Sequence, residues 1–375
     1  DINKARMAIS DVVLKTPLQK NIGLSDEFGA NIFLKREDLQ VVRSYKLRGA
    51  FNKMLNLSSE EKAKGVVCAS AGNHAQGVAL AARRLGVKAL IVMPRTTPGI
   101  KVEAVRALGG KTLLHGDTYN EACDHALQLA AERGMVFIHP YDDPQVIIGQ
   151  ATIALEMFRQ NHRPVDYLFV CVGGGGMAAG MALVSKYLHP GIKVIGVEAE
   201  ESASMKAAFE AGGPVTLPEI GHFAEGVAVK RTGDLTYRIC SQLLDELWSF
   251  IQKGPDHTGQ AIRLLHTGQS YAPDIRAASE QSGSGAAELI PAIAAQAQAA
   301  RDRGDPVIFL CDEHDKRNAQ KRTPDPDYLE AQPETLIKRF SETRRRHPRG
   351  APSPKAAARC GDRRCASTTI TRSHR

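Results

Sequence analysis

Between residues 65 and 197 the chain alternates short unbroken apolar runs with stretches whose apolar positions recur every three or four residues. Unbroken runs predict strands covered on both faces, and the longer period predicts helices. Strands are expected at 65–70, 89–93 (ALIVM), 112–114, 136–138, 167–172 (YLFVCV) and 193–197 (KVIGV). Helices are expected from Asn73 to near Leu85, and at 98–108, 120–133, 144–160 and 178–188. Gly86 and Gly109 mark two of their ends, and Pro98 and Pro144 mark two starts. Strands alternating with helices imply an α/β fold of mostly parallel open sheets with helices on both faces. We expect two such units. A small α/β unit at 40–150 is inserted into a larger one formed by 1–39 and 151–315. No internal repeat is present.

The pattern weakens after Trp248. Residues 252–285 are rich in Gln, Gly, Ser and His, a helical period returns at 286–301, and 306–311 (PVIFLC) reads as a last strand. Beyond Asp315 large apolar residues are scarce, and 316–375 is expected to be a basic disordered tail.

Composition changes this picture little. At 375 residues with 43% hydrophobic and 24% charged positions the chain is globular. No apolar run of membrane-spanning length and no signal-peptide pattern occurs, so a soluble cytoplasmic protein is expected. The chain opens on Asp1 rather than Met, so its true start is expected to be missing or processed. Seven scattered Cys do not form a secreted disulfide framework and suit reduced intracellular thiols. The net charge of +8 is a property of the tail: residues 316–375 hold 16 Lys+Arg against 6 Asp+Glu, the remainder 33 against 35. No nucleic-acid partner is therefore expected, and Arg344–Arg346 read as solvated.

Three segments offer chemistry. Gly173-Gly174-Gly175-Gly176 stands between a strand and a helix, where amides and the helix dipole favour a phosphate. No Gly-Lys-Ser/Thr follows, which excludes a Walker loop. A dinucleotide fingerprint through Gly173, Gly175 and Ala178, with Glu198 downstream, stays open as a rival. Lys46, beside Tyr45, is either a covalent nucleophile or a solvated lysine at a helix start, and spacing does not separate the two. Ser70-Ala71-Gly72-Asn73-His74 lies at another strand-to-helix junction suited to an anion such as a carboxylate. His74 is either a catalytic base or a structural histidine. Cys360 and Cys365 lack a second pair, so no zinc site is expected, and no G-x-S-x-G elbow marks a serine hydrolase.

Taken in order, these segments resemble the threonine dehydratases, pyridoxal-phosphate enzymes of tryptophan-synthase-β-like fold (fold type II), and most closely their biosynthetic branch. The matching stretches are Leu34–Gln40, Ser44–Ala50, Ala69–Ala79, Lys88–Pro94, Gly173–Gly180, Val194–Glu200 and Phe223–Lys230. The likeness runs through about residues 1–247. It implies pyridoxal 5'-phosphate carried covalently on Lys46, with Tyr45 near its ring and Asn73 on its 3′-oxygen. Gly173, Gly174, Gly175, Gly176 and the Met177 amide would hold the phosphate. Ser70, Ala71 and Gly72 would meet the substrate carboxylate, with Gln150 nearby. The implied reaction is a lyase reaction of isoleucine biosynthesis: deamination of L-threonine to 2-oxobutanoate and ammonia, with Lys46 as base at the α-carbon.

Ala71 stands where serine-racemase-like relatives hold a proton-giving serine, which argues against racemisation. Glu198 matches a position that helps hold a cation in some relatives, but Ser204 replaces the second carboxylate, so no metal is expected. The likeness also implies a homo-oligomer, a tetramer in the family. After Trp248 the usual pattern lapses. Glu280–Ala286 only echoes one family segment, the serine that would face the pyridine nitrogen is absent, and Cys311 is the weak stand-in by position. No regulatory domain follows. Alternatives are a serine-preferring dehydratase, a non-catalytic remnant with an altered C-terminal third, and a nucleic-acid binder acting through the tail.

Overall fold

The computed structural model describes residues 1–161, 163–221, 224–250 and 306–311. Two sheets organise them. The larger has six strands in the order β1-β2-β10-β7-β8-β9, comprising β1 (Leu18–Lys20), β2 (Asn31–Arg36), β7 (Tyr167–Cys171), β8 (Lys193–Ala199), β9 (Glu246–Phe250) and β10 (Pro306–Cys311). The smaller has four in the order β5-β4-β3-β6, comprising β3 (Val66–Ala69), β4 (Ala89–Met93), β5 (Lys111–Leu114) and β6 (Val136–Phe137). Every pairing is parallel except that of β1 with β2.

The reason lies in the runs themselves. All four residues of β3 are buried, and so are the last six of β8. A strand covered on both faces has no polar side to alternate with. β10 threads between β2 and β7, placing Ile308 opposite Phe33 and Leu168, so a late segment completes the sheet begun at residue 18. The expected helix at 286–301 and the tail at 316–375 lie outside the described residues.

Most predicted elements recur within a residue or two. Helix Asn73–Leu85 stops at Gly86, whose φ of 67° only glycine adopts without strain. Helix Pro144–Gln160 starts at the proline, with the Asp143 carboxylate accepting hydrogen bonds from the amides of Gln145 and Val146. The expected helix at 178–188 is corrected: it begins two residues earlier, at Gly176.

One helix positions the rest. Pro144–Gln160 is buried without a break from Val146 to Met157, and runs straight through the expected unit junction at 150/151. Helix Lys46–Leu55 lies against it where two glycines meet. A β-carbon on Gly149 would stand 2.5 Å from the Arg48 carbonyl oxygen, and one on Gly49 would stand 2.5 Å from Gln150 Nε2. Helix Gly176–Leu188 packs on the same helix, and a β-carbon on Gly180 would stand 2.6 Å from the Ile147 carbonyl oxygen. Absent side chains thus let two helices lean closely on a third, which brings their N-termini to one place. Among the described residues no helix is long and apolar enough to cross a membrane.

Candidate active site

Helix Lys46–Leu55 buries Leu47, Ala50, Phe51 and Met54, the i, i+3, i+4, i+7 stripe of a core-facing helix. Lys46 opens that helix, and its amide donates to the Ser44 hydroxyl. The side chain turns the other way. Its ammonium donates to the Pro140 carbonyl at 2.9 Å and sits 5.5 Å from the centre of the Tyr45 ring.

The turn into this helix is anchored by buried charge. Arg48 is fully buried and grips Glu37 through Nε and Nη2 at 2.8 Å each. The same guanidinium reaches Glu156 at 2.8 and 2.9 Å, and Lys35 completes the group with a 2.8 Å bond to Glu156. Burial pushes the Glu156 carboxyl up, but Arg48 and Lys35 outweigh it and hold it well below the usual carboxylate range. Two cations and two anions balance, so none stands alone in the buried interior.

Opposite Lys46, the chain leaves β7 through the glycine run. Gly175 has φ 91° and caps helix Gly176–Leu188, which has no side-chain cap of its own. Side chains are excluded here. A β-carbon on Gly174 would lie 2.2 Å from the Tyr141 ring, one on Gly173 2.9 Å from the Val227 backbone, and one on Gly176 2.8 Å from the Tyr141 carbonyl oxygen. A helix start without a side-chain cap, approached through bare backbone, suits an anion.

Between these two walls lies a pocket lined among others by Tyr45, Lys46, Pro140, Tyr141, Gln150, Gly173–Gly176 and Met177. Gln150 is only 1% exposed, and its Oε1 has no hydrogen-bond partner among the described residues. A buried orphan acceptor beside a cavity is explained by a ligand that donates to it.

The sequence candidates divide. Lys46, the four glycines, Met177 and Gln150 share this pocket. Ser70, Ala71, Gly72 and Asn73 are half-buried at the exit of β3 and do not line it. The Ser70 hydroxyl accepts from the Gly72 amide at 3.2 Å, and Asn73 begins helix Asn73–Leu85, which packs against the backbone of Lys46 at Gly77. His74 resolves as structural. Burial, with Lys46 adding to it, pushes its pKa down to about 3, and its Nε2 bonds the Ile138 carbonyl at 2.8 Å, which requires the neutral ring to donate. Both Glu198 oxygens accept backbone amides, of Met205 and Lys206. The side chain at Cys311 lies outside what the structure describes.

Sequence reading missed Pro140 and Tyr141. Their signal was faint, a His-Pro-Tyr between a two-residue strand and a helix. Their roles come from contacts with Lys46, 94 residues away, and with the glycine turn.

Residues 9–310 match the family described as "Pyridoxal-phosphate dependent enzyme". The chain is 54% identical over 239 residues to "L-threonine dehydratase biosynthetic IlvA" of Pasteurella multocida, covering 64% of this chain and 46% of that protein. It is 51% identical over 278 residues to the Escherichia coli protein of that name, covering 74% and 52%. It therefore spans about half the length of these relatives. Among solved structures it is similar to the processed form of threonine deaminase isoform 2 from Solanum lycopersicum, with a TM-score of 0.70, 37% identity and coverage of 91% and 92%. Maize serine racemase also has a TM-score of 0.70, at 26% identity and coverage of 92% and 97%.

Proposed function

The chain belongs to the pyridoxal-phosphate dependent enzymes, and on that premise we propose that it is an L-threonine ammonia-lyase, releasing 2-oxobutanoate and ammonia. The observation that carries the reading is a lysine amine and an uncapped, side-chain-free helix start facing one another across a single pocket. The pocket suits the cofactor. Its two ends match an aldehyde and a phosphate.

In this reading the amides of Gly173, Gly174, Gly175, Gly176 and Met177 take the phosphate, and Lys46 takes the aldehyde. When bound, the cofactor supplies an electron sink for negative charge at the substrate α-carbon. The protein supplies the rest. Lys46 Nζ carries the proton to and from that carbon, and the Pro140 carbonyl keeps the amine at the pocket edge. Tyr45 and Tyr141 flank the pocket and displace water from it. By the family likeness, the Ser70–Gly72 amides at the start of helix Asn73–Leu85 receive the substrate carboxylate, with the Gln150 side-chain N–H donating to it, and Asn73 holds the cofactor's 3′-oxygen. Ala71 offers only a methyl group there, so the opposite face of the α-carbon receives no proton and the reaction runs to elimination rather than racemisation. The relatives named threonine dehydratase support this choice of substrate. The proposed enzyme is a homo-oligomer of the cytoplasm, serving isoleucine biosynthesis.

The test is to follow 2-oxoacid and ammonia release by cofactor-loaded protein from L-threonine, L-serine and D-serine. We expect equal amounts of both products and a higher kcat/KM for L-threonine. A preference for L-serine would move the assignment to a serine dehydratase. No turnover of either L-substrate would identify a non-catalytic remnant.

A further inference from the structure

The glycine turn is held from behind by a residue that neither the mechanism nor the sequence uses. Helix Asp234–Leu243 begins at Gly233, which has no side chain to cap it. The cap comes from Asp142 instead. Its Oδ1 accepts the amides of Leu235 and Thr236 at 3.0 Å each, and its Oδ2 accepts the Asp234 amide at 3.1 Å. Only glycine at 233 allows this, because a β-carbon there would lie 2.1 Å from Asp142 Oδ1. Three of the four orphan donors of that helix are thereby answered by one carboxylate from 92 to 94 residues away.

The capped helix then acts on the turn. The Thr236 hydroxyl donates to the Gly174 carbonyl at 2.6 Å, and the Thr236 β-carbon lies 2.9 Å from where a side chain on Gly175 would begin. Fixing the Gly174 carbonyl fixes the peptide plane that carries the Gly175 amide. Asp142 is itself held, since its own amide donates to His139 Nδ1 at 2.7 Å. Its neighbours are the two residues already at the pocket, Pro140 bonded to Lys46 and Tyr141 packed on Gly174. A three-residue strap thus touches the amine, the face of the turn and the helix behind it.

We propose that Asp142 is a positioning residue for the phosphate end of the pocket, acting through Thr236 on the orientation of the glycine-turn amides. This rests on the reading that the turn holds the cofactor phosphate. The experiment compares the dissociation constants of pyridoxal phosphate and of pyridoxal, which lacks the phosphate, by absorbance titration of the full chain. Asp142→Ala and Thr236→Val are each expected to weaken pyridoxal phosphate about tenfold or more, the scale of one lost charge-assisted or buried hydrogen bond. Pyridoxal binding should stay within about twofold, so the phosphate preference collapses. Thr236→Ser should restore it, and the double variant should be no worse than the poorer single one, since both break one relay.

Equal weakening of both ligands, or additive losses, overturns the proposal and leaves Asp142 a general stabiliser. Should Asp142→Ala fail to fold, Thr236→Val, which keeps shape and removes only the hydroxyl, decides alone. A wild-type chain that binds pyridoxal as tightly as pyridoxal phosphate would instead refute the phosphate reading of the turn.

Discussion

The two walls of the pocket are built on opposite principles. The lysine wall is made of side chains. Arg48, Glu37, Glu156 and Lys35 form a buried, charge-balanced cluster two residues from the amine it fixes. The glycine wall is made of their absence, with bare backbone pressed so close to Tyr141, Val227 and Thr236 that a methyl group would collide. A covalent anchor must be one defined atom, and ionic bonds of fixed geometry locate it well. An anion cradle must present several amides at once, and only backbone without side chains brings them within reach. The first wall should therefore fail when charge is unbalanced, the second when volume is added.

Four perturbations break or sharpen that contrast. Lys46→Ala removes the anchor and the base together, and we expect activity to fall roughly 10²–10⁴-fold or beyond, with loss of the visible cofactor band. Next, Arg48→Met leaves Glu37 without its cation and Glu156 with Lys35 alone. Chemical denaturation should show a loss of about 3–5 kcal/mol, the cost of a broken buried pair. Arg48→Met/Glu37→Leu should recover much of it, because one cation and one anion are removed together and Lys35 stays paired with Glu156. Gly174→Ala, with its methyl 2.2 Å from the Tyr141 ring, should cost about 1–3 kcal/mol of stability. Its larger effect should be on pyridoxal phosphate affinity, with the affinity for pyridoxal less altered.

The smallest effect is of pH. His74 has its folded pKa lowered to about 3, whereas in an unfolded chain it titrates near about 6.5. Below about pH 6.5 the unfolded state takes up a proton that the native state refuses, so stability falls as pH drops. Urea unfolding at pH 7.5 and 5.5 should differ by about 1 kcal/mol from this group, and His74→Gln should flatten that difference. Glu156, with its folded pKa lowered by Arg48 and Lys35, adds a further loss of stability at more acid pH. This second loss begins near the ordinary carboxylate pKa of about 4.3 and should vanish in Glu156→Gln.

The sequence discloses these walls unequally, and the reason is distance along the chain. The glycine run, β3, β4, β7, β8 and β10 are local facts, written as unbroken apolar runs that end in turn residues, and were legible. β9 was not. It is an edge strand with half-buried positions beside Trp248, so neither a continuous nor an alternating pattern marks it. Lys46 was legible only through family likeness, since a lysine at a helix start is ordinarily solvated. Arg48 and Glu156 are 108 residues apart, and Asp142 and Thr236 94. No local period records such a pairing. Asp142 even invites a wrong expectation, because Asp-Asp-Pro reads as the start of the following helix. Asp143 does cap that helix, while Asp142 serves another one.

The central claim is that one amine and one glycine turn hold the two ends of the same cofactor. Borohydride reduction of the cofactor-loaded chain, followed by peptide mapping, tests it most directly, because reduction fixes a bound aldehyde to whichever lysine holds it. The account predicts one pyridoxyl mass increment, on Lys46, lost when inorganic phosphate at high concentration competes for the glycine turn. An increment on any other lysine, or none on a folded and loaded chain, would contradict it.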